Sequence, residues 1–363
     1  MKIKVILMLS LLFLFSFSFT VRGEDLYNAA DIEKIEEALP EDAQEIFENE
    51  GWSGETDWNN SLDTSGFISL LKSFFTQGIN APLKASMSVL SLIILSSLIQ
   101  SFAEKGEISE SVDTVCLIGA ALLLAVPIYN IIEAVKETLT AAVTFISVAI
   151  PVFVGVICAS GKPASASATG GIILAACEGL SAVCAFVLLP LMNGCLAVGM
   201  CGAFSQEKRV TGLITPIKKG AMWVYSLVST LFLFLINVKG ITGGAADNFS
   251  VKTAKFLLGT TVPVAGKALS ESASAVAASL NLLKGNVGIY IILGVAAILL
   301  PLIFSLICWR VALWGLKYLS ELFSTPKIPM LIEAFSGVLS MLLGFTLLQL
   351  ALFIISLGVM IKL

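Results

Sequence analysis

From Pro82 onward the chain alternates long apolar runs with short polar breaks: Leu83 to Ala103, Val115 to Glu133, Leu139 to Cys158, Gly171 to Phe204, Met222 to Val238, Val287 to Cys308 and Phe335 to Ile361. A helix needs about 20 apolar residues to cross a hydrocarbon core about 30 Å thick, where each backbone group must be bonded within the helix. The pattern predicts an all-α, polytopic integral membrane protein with about seven to eight transmembrane helices after an N-terminal leader. The uncertainty in that number is the 34-residue run from Gly171 to Phe204, about 51 Å as one helix. It is long for one upright span and short for two, and Pro190, Asn193 and Gly194 in its middle predict a kink or a tight hairpin. The doubled arrangement is preferred because it moves Lys208, Arg209, Lys218 and Lys219 to the cytoplasmic side.

Ahead of the spans, Lys2 and Lys4 precede the apolar run Val5 to Val21, the order of a secretory leader or signal anchor over residues 1–23. Residues 24–66 then form an acidic segment expected outside the cytoplasm. In it Ile32, Ile35 and Leu39 recur at helical spacing, Pro40 ends the run, and Ala43, Ile46 and Phe47 begin another. This reads as two short helices in a solvated acidic spacer with a narrow apolar stripe, the alternative being a dedicated docking surface. Residues 67–81, crowded with Phe67, Phe74 and Phe75 among serines and Lys72, have the pattern of an interfacial amphipathic helix leading into the first span. A first transmembrane bundle follows over 82–238, then a Gly/Ala/Ser/Lys-rich amphipathic or re-entrant segment over 239–286, then C-terminal transmembrane helices over 287–363.

Composition sharpens this division. Fourteen of the 26 acidic residues lie between Glu24 and Asp63 with Lys34 as the single base, a net charge of −13, whereas residues 67–363 carry a net +6. With 57% hydrophobic and 13% charged residues, the solvent for most of the chain is lipid. Seven cysteines lie in or beside apolar runs and read as small apolar filler. There is no histidine, which removes Ser-His and Cys-His pairs and the commonest metal ligand. The string Gly259 to Ala268 spaces its glycines wrongly for a phosphate loop and has Ala where Ser or Thr would hold magnesium. No catalytic, cofactor or metal site and no nucleic-acid binding is expected.

The sharpest candidate residue is Glu178, a carboxylate in an apolar run, where a charge costs several kcal/mol unless protonated, paired or hydrated. Gly171, Ala175 and Gly179 repeat at four-residue spacing around it, a small-residue face that permits close helix approach. A protonated Glu178 bridging two helices for packing alone is the plainer reading. Pro190 and Asn193 complete this set of intramembrane polar or assembly positions. In the Gly/Ala/Ser/Lys-rich segment, Pro263, Gly266, Lys267 and Glu271 are candidates for a re-entrant element, Lys267 and Glu271 lying one helical turn apart.

The stretch from Ser250 to Ser272, SVKTAKFLLGTTVPVAGKALSES, resembles the signature region of the stage III sporulation protein AE family, as does the order of leader, acidic head, multi-span body and apolar C-terminus. The resemblance implies a mother-cell membrane protein of endospore formers, in the membrane around the forespore. It also implies partnership with other stage III sporulation membrane proteins and an ATPase subunit in a secretion-like channel complex linking mother cell and forespore. A self-sufficient secondary transporter is the competing expectation; it would call for inverted repeats with broken helices in both halves, and Glu178 and Pro190 have no evident second-half counterpart.

Overall fold

The computed structural model describes residues 32–52, 64–102, 107–205, 212, 215–235, 266–323 and 327–362, and all regular structure among them is helical. In chain order the helices are α1 (Ile32–Glu37), α2 (Glu41–Glu50), α3 (Thr64–Phe102), α4 (Glu107–Ala159), α5 (Pro163–Val183), α6 (Leu189–Ser205), α7 (215–235), α8 (Gly266–Leu322) and α9 (Ile328–Lys362). Among the described residues five stretches are long and apolar enough to cross a membrane, in α3, in α4, in α5 with α6, in α8 and in α9. The chain is therefore read as a membrane protein. Two of the predicted breaks are not chain reversals, so the helices there are fewer and longer than the apolar runs.

The first such break is at Glu133, Lys136 and Glu137, which separates two predicted spans yet lies in the middle of the 53-residue α4. Lys136 Nζ stands 3.8 Å from Glu133 Oε2, and both side chains look outward. Charge here marks a change in what the outer face meets, and the inner face continues without interruption through Ile131, Ile132, Val135 and Leu139. A second correction concerns Gly171 to Phe204. It neither doubles back nor bends into a hairpin; α5 runs into α6 through one π turn, Cys184–Leu188. Pro190 accounts for it, since a proline has no N–H for the bond to residue i−4 and its ring clashes with that carbonyl, so the turn just before it widens. Residues 67–81 are continuous with the first predicted span in α3, with Pro82 inside the helix.

At the centre of the bundle α8 packs most extensively on α9 and also meets α3 and α4, while α4 pairs with α5 and α9 packs on α6. Close approaches depend on glycine. A Cβ at Gly288 would stand 2.4 Å from Ile361 Cγ1, and one at Gly294 would stand 2.6 Å from Phe145 Cζ, so a side chain at either would push helices apart. Gln100 Nε2 donates to Asp113 Oδ1 at 2.7 Å, and Lys327 Nζ donates to Thr114 Oγ1 at 3.2 Å. These bonds gather the end of α3 and the starts of α4 and α9 at one end of the bundle; the α4–α5 turn, where Gly161 has φ 93°, lies at the other.

Residues 32–52 of the acidic segment are not a free spacer. Ile35, Leu39, Ala43 and Phe47 are all buried, α1 lies on α4 and α2 on α8. Phe47 meets Tyr290 of α8 edge-on at 5.0 Å and Trp52 at 5.5 Å. Gln44 Nε2 donates to Leu39 O at 2.8 Å, tying α2 back to the turn before it. Gly51, at φ 66°, ends α2 and lets Trp52 N–H reach Phe47 O at 2.9 Å. The apolar stripe is narrow because it fills one seam on this chain's own bundle.

Large apolar side chains are exposed on only part of the exterior. They stud α3 from Phe75 to Phe102, α4 from Val115 to Tyr129, the π turn at Phe186 and Val187, α7 throughout, α8 at Leu282 and from Ile307, and α9 from Leu347 to Ile355, but among the described residues none is exposed between Tyr129 and Phe186. There the outward positions include Lys136, Glu137, Thr140 and Thr144 on α4, and Ala164, Ser167, Gly171, Ala175, Glu178 and Ala182 on α5. On α4 the apolar exterior extends over 15 residues, about 22 Å at 1.5 Å per residue, and on α7 and on α3 from Leu83 to Phe102 about 30 Å, close to the thickness of a hydrocarbon core.

Candidate assembly face and the polar sites of the bundle

Helical periodicity brings Gly171, Ala175 and Glu178 onto the outer face of α5, where all three are exposed. No atom lies within 4 Å of a Cβ built at Gly171. Gly179 sits at the edge of this face, 3.7 Å from Phe232 Cζ of α7 by the same measure, an ordinary van der Waals contact. Among the described residues Glu178 therefore does not bridge two helices; its carboxylate lies on a face that they leave open. Small residues there allow another helix to approach closely, and the carboxylate offers a strong acceptor. Pro190 and Gly194 extend the open line along α6. Asn193 is half-buried, and its Oδ1 is buried without a hydrogen-bond partner among the described residues.

Of the candidate re-entrant group, Pro263 lies outside the described residues, whereas Gly266, Lys267 and Glu271 fall at the start of α8. On that backbone Lys267 and Glu271 are one turn apart, in a helix that runs unbroken into the apolar core.

Two polar features are not among the candidates read from the sequence. Tyr225 of α7 donates its hydroxyl to Gln349 Oε1 of α9 in a short hydrogen bond, and both residues are buried. Tyr225 also stacks edge-on against Phe345 at 5.1 Å. Each residue lies within an apolar run, where a lone Tyr or Gln in the sequence carries no sign of its partner 124 positions away. The other feature is a cavity of about 770 Å³ between α7, α8 and α9, lined by basic residues that include Arg310. A single arginine between Trp309 and Val311 in an apolar run was a readable signal, because a charge at membrane depth is costly unless it has a use.

The family described as Stage III sporulation protein AE (spore_III_AE) matches residues 52–363. Among curated proteins, the chain is similar to "Stage III sporulation protein AE" of Bacillus subtilis (strain 168), 23% identical over 221 residues. That match covers 61% of this chain and 55% of the relative, so the aligned part spans little more than half of the relative's length. No solved structure matches.

Proposed function

Because the chain belongs to the stage III sporulation protein AE family, we propose that it serves sporulation as a membrane-embedded, non-catalytic subunit of a secretion-like channel complex linking mother cell and forespore. Its neighbours in this reading are other stage III sporulation membrane proteins and an ATPase subunit, and its place is the mother-cell membrane around the forespore with the acidic head outside the cytoplasm. The observation that carries the assembly role is the outer face of α5. A line of Ala164, Ser167, Gly171 and Ala175 with Glu178 in it is exposed on a chain whose α3, α7, α8 and the first part of α4 turn bulky apolar residues outward. In lipid such a face forgoes dispersion contacts and strands a carboxylate, whereas against another subunit its small residues permit backbone approach and the carboxylate can be paired.

The test is a pull-down of the tagged chain from mildly solubilised sporulating cells, read by mass spectrometry. Co-recovery of an ATPase and other sporulation membrane proteins, reduced for Gly171→Leu, is the expected result. Recovery of the chain alone, with solute uptake by the purified protein in liposomes, would replace this reading with a self-sufficient transporter.

A further inference from the structure

The cavity between α7, α8 and α9 holds more positive charge than its own residues balance. Lys218, Lys219, Arg310 and Lys317 line it against two carboxylates, Glu321 and Glu333. Glu333 Oε2 is already engaged, 3.4 Å from Lys317 Nζ. Arg310 Nε is buried and has no hydrogen-bond partner among the described residues. Arginine stays protonated and presents its donors as a planar fork, so a buried Nε–H that no protein acceptor meets is a costly group suited to an anion.

Position narrows the chemistry. Arg310 lies twelve residues before the end of α8 at Leu322, about 18 Å along the axis, and Ser340 lies twelve residues into α9, at the same depth from the same end. The charged cleft thus runs from the bundle end inward. On the outer surface beside it, Trp314 and Tyr318 of α8 stack edge-on at 4.9 Å and Trp223 of α7 is exposed, all three facing away from the bundle. Exposed Trp and Tyr on apolar helices mark the level of lipid headgroups. Basic pockets between membrane helices at that level are suited to phosphate-bearing headgroups.

We propose that this cleft binds a phosphate group, with Arg310 as its bidentate donor, Lys218 and Lys219 as flanking charges and the Ser336 and Ser340 hydroxyls as further donors, and that the phosphate belongs to an anionic phospholipid seated between α7 and α9. The acyl chains would then lie along the apolar outer surface of α7, where Trp223 and Leu227 are exposed. A free phosphate-bearing solute shares the headgroup chemistry and differs in lacking those chains.

Full-length protein purified in a neutral detergent and exchanged into phosphatidylcholine nanodiscs with a minority of phosphatidylglycerol distinguishes the two. Bound lipid is then measured by native mass spectrometry after mild delipidation. The expected result is retention of phosphatidylglycerol over phosphatidylcholine by at least tenfold, reduced about tenfold in Arg310→Gln and severalfold in Lys219→Gln, with Arg310→Lys between them. Lys219 is exposed at the cavity, so its variant keeps the test open if Arg310→Gln fails to fold. Lys136→Gln, the same charge change outside the cleft, should retain lipid as the parent does. Displacement of the lipid by millimolar inorganic phosphate would assign the site to a soluble anion. Equal retention of both lipids by the parent and by Lys219→Gln, with no stabilisation of either protein by phosphate, would overturn the proposal.

Discussion

Tyr225 and Gln349 show how a buried polar pair behaves when it has no alternative. With water excluded, the Tyr225 hydroxyl and the Gln349 carboxamide satisfy one another, and Gln349 Nε2 is still without a partner among the described residues. Tyr225→Phe keeps the ring against Phe345 but deprives Gln349 Oε1 of its donor, so it should cost about 1–3 kcal/mol in thermal or denaturant unfolding. Adding Gln349→Leu should recover part of the loss, because replacing both partners removes the stranded group. At the open face the expectation is reversed. A Cβ at Gly171 meets no atom among the described residues, and Gly171→Leu replaces a poor helix former, so stability should hold or rise by up to about 1 kcal/mol while sporulation efficiency and complex recovery fall. Glu178→Gln should be tolerated there and Glu178→Lys should not, as the same two assays would record; indifference to Lys would remove Glu178 from any contact. The spacing of Gly171, Ala175 and Gly179 made this face legible in the sequence, since it follows from helical period alone. Which side it looks toward was not, because that depends on where Phe232 and the rest of α7 come to lie.

Among the elements, the acidic head and α4 carry the most instructive differences from their sequence patterns. Hydropathy registers Glu133, Lys136 and Glu137 as a break, yet α4 continues through them because outward charges cost a helix little where its outer face is already polar, as Thr140 and Thr144 indicate. Likewise the head's stripe of Ile35, Leu39 and Phe47 was readable as two helices, but its covering surface is built from residues of α4 and α8 far along the chain. Gly294 is the contact that couples them: a Cβ there would meet Phe145 and stand 3.2 Å from Leu39 Cδ2. Gly294→Leu should therefore cost about 1–3 kcal/mol by overpacking and, more specifically, expose residues 32–50 to limited proteolysis while the remaining helices stay protected. Unchanged cleavage in this region would mean that the seam does not hold the head.

For the molecule as a whole, the uneven exterior predicts which surfaces meet lipid. In a variant with its native cysteines replaced, a cysteine at Leu122 or Leu231, both exposed on apolar helices, should resist a water-soluble maleimide in intact membranes, whereas one at Thr140 or Ser167 should react in the chain expressed alone and become protected in the assembled complex. Equal labelling at all four positions would contradict a belt confined to part of the bundle. The docking of the head also sets a timetable. Phe47 precedes its partner Tyr290 by 243 positions, and at about 5–20 residues per second of synthesis its seam is completed roughly 12–50 s after the head emerges. Within that interval α1 gains its seat on α4 but Phe47 of α2 has none on α8, so half of the nascent head is either held by another protein or kept apart by its own negative charge, and a helix made late is the one that lets an early one settle.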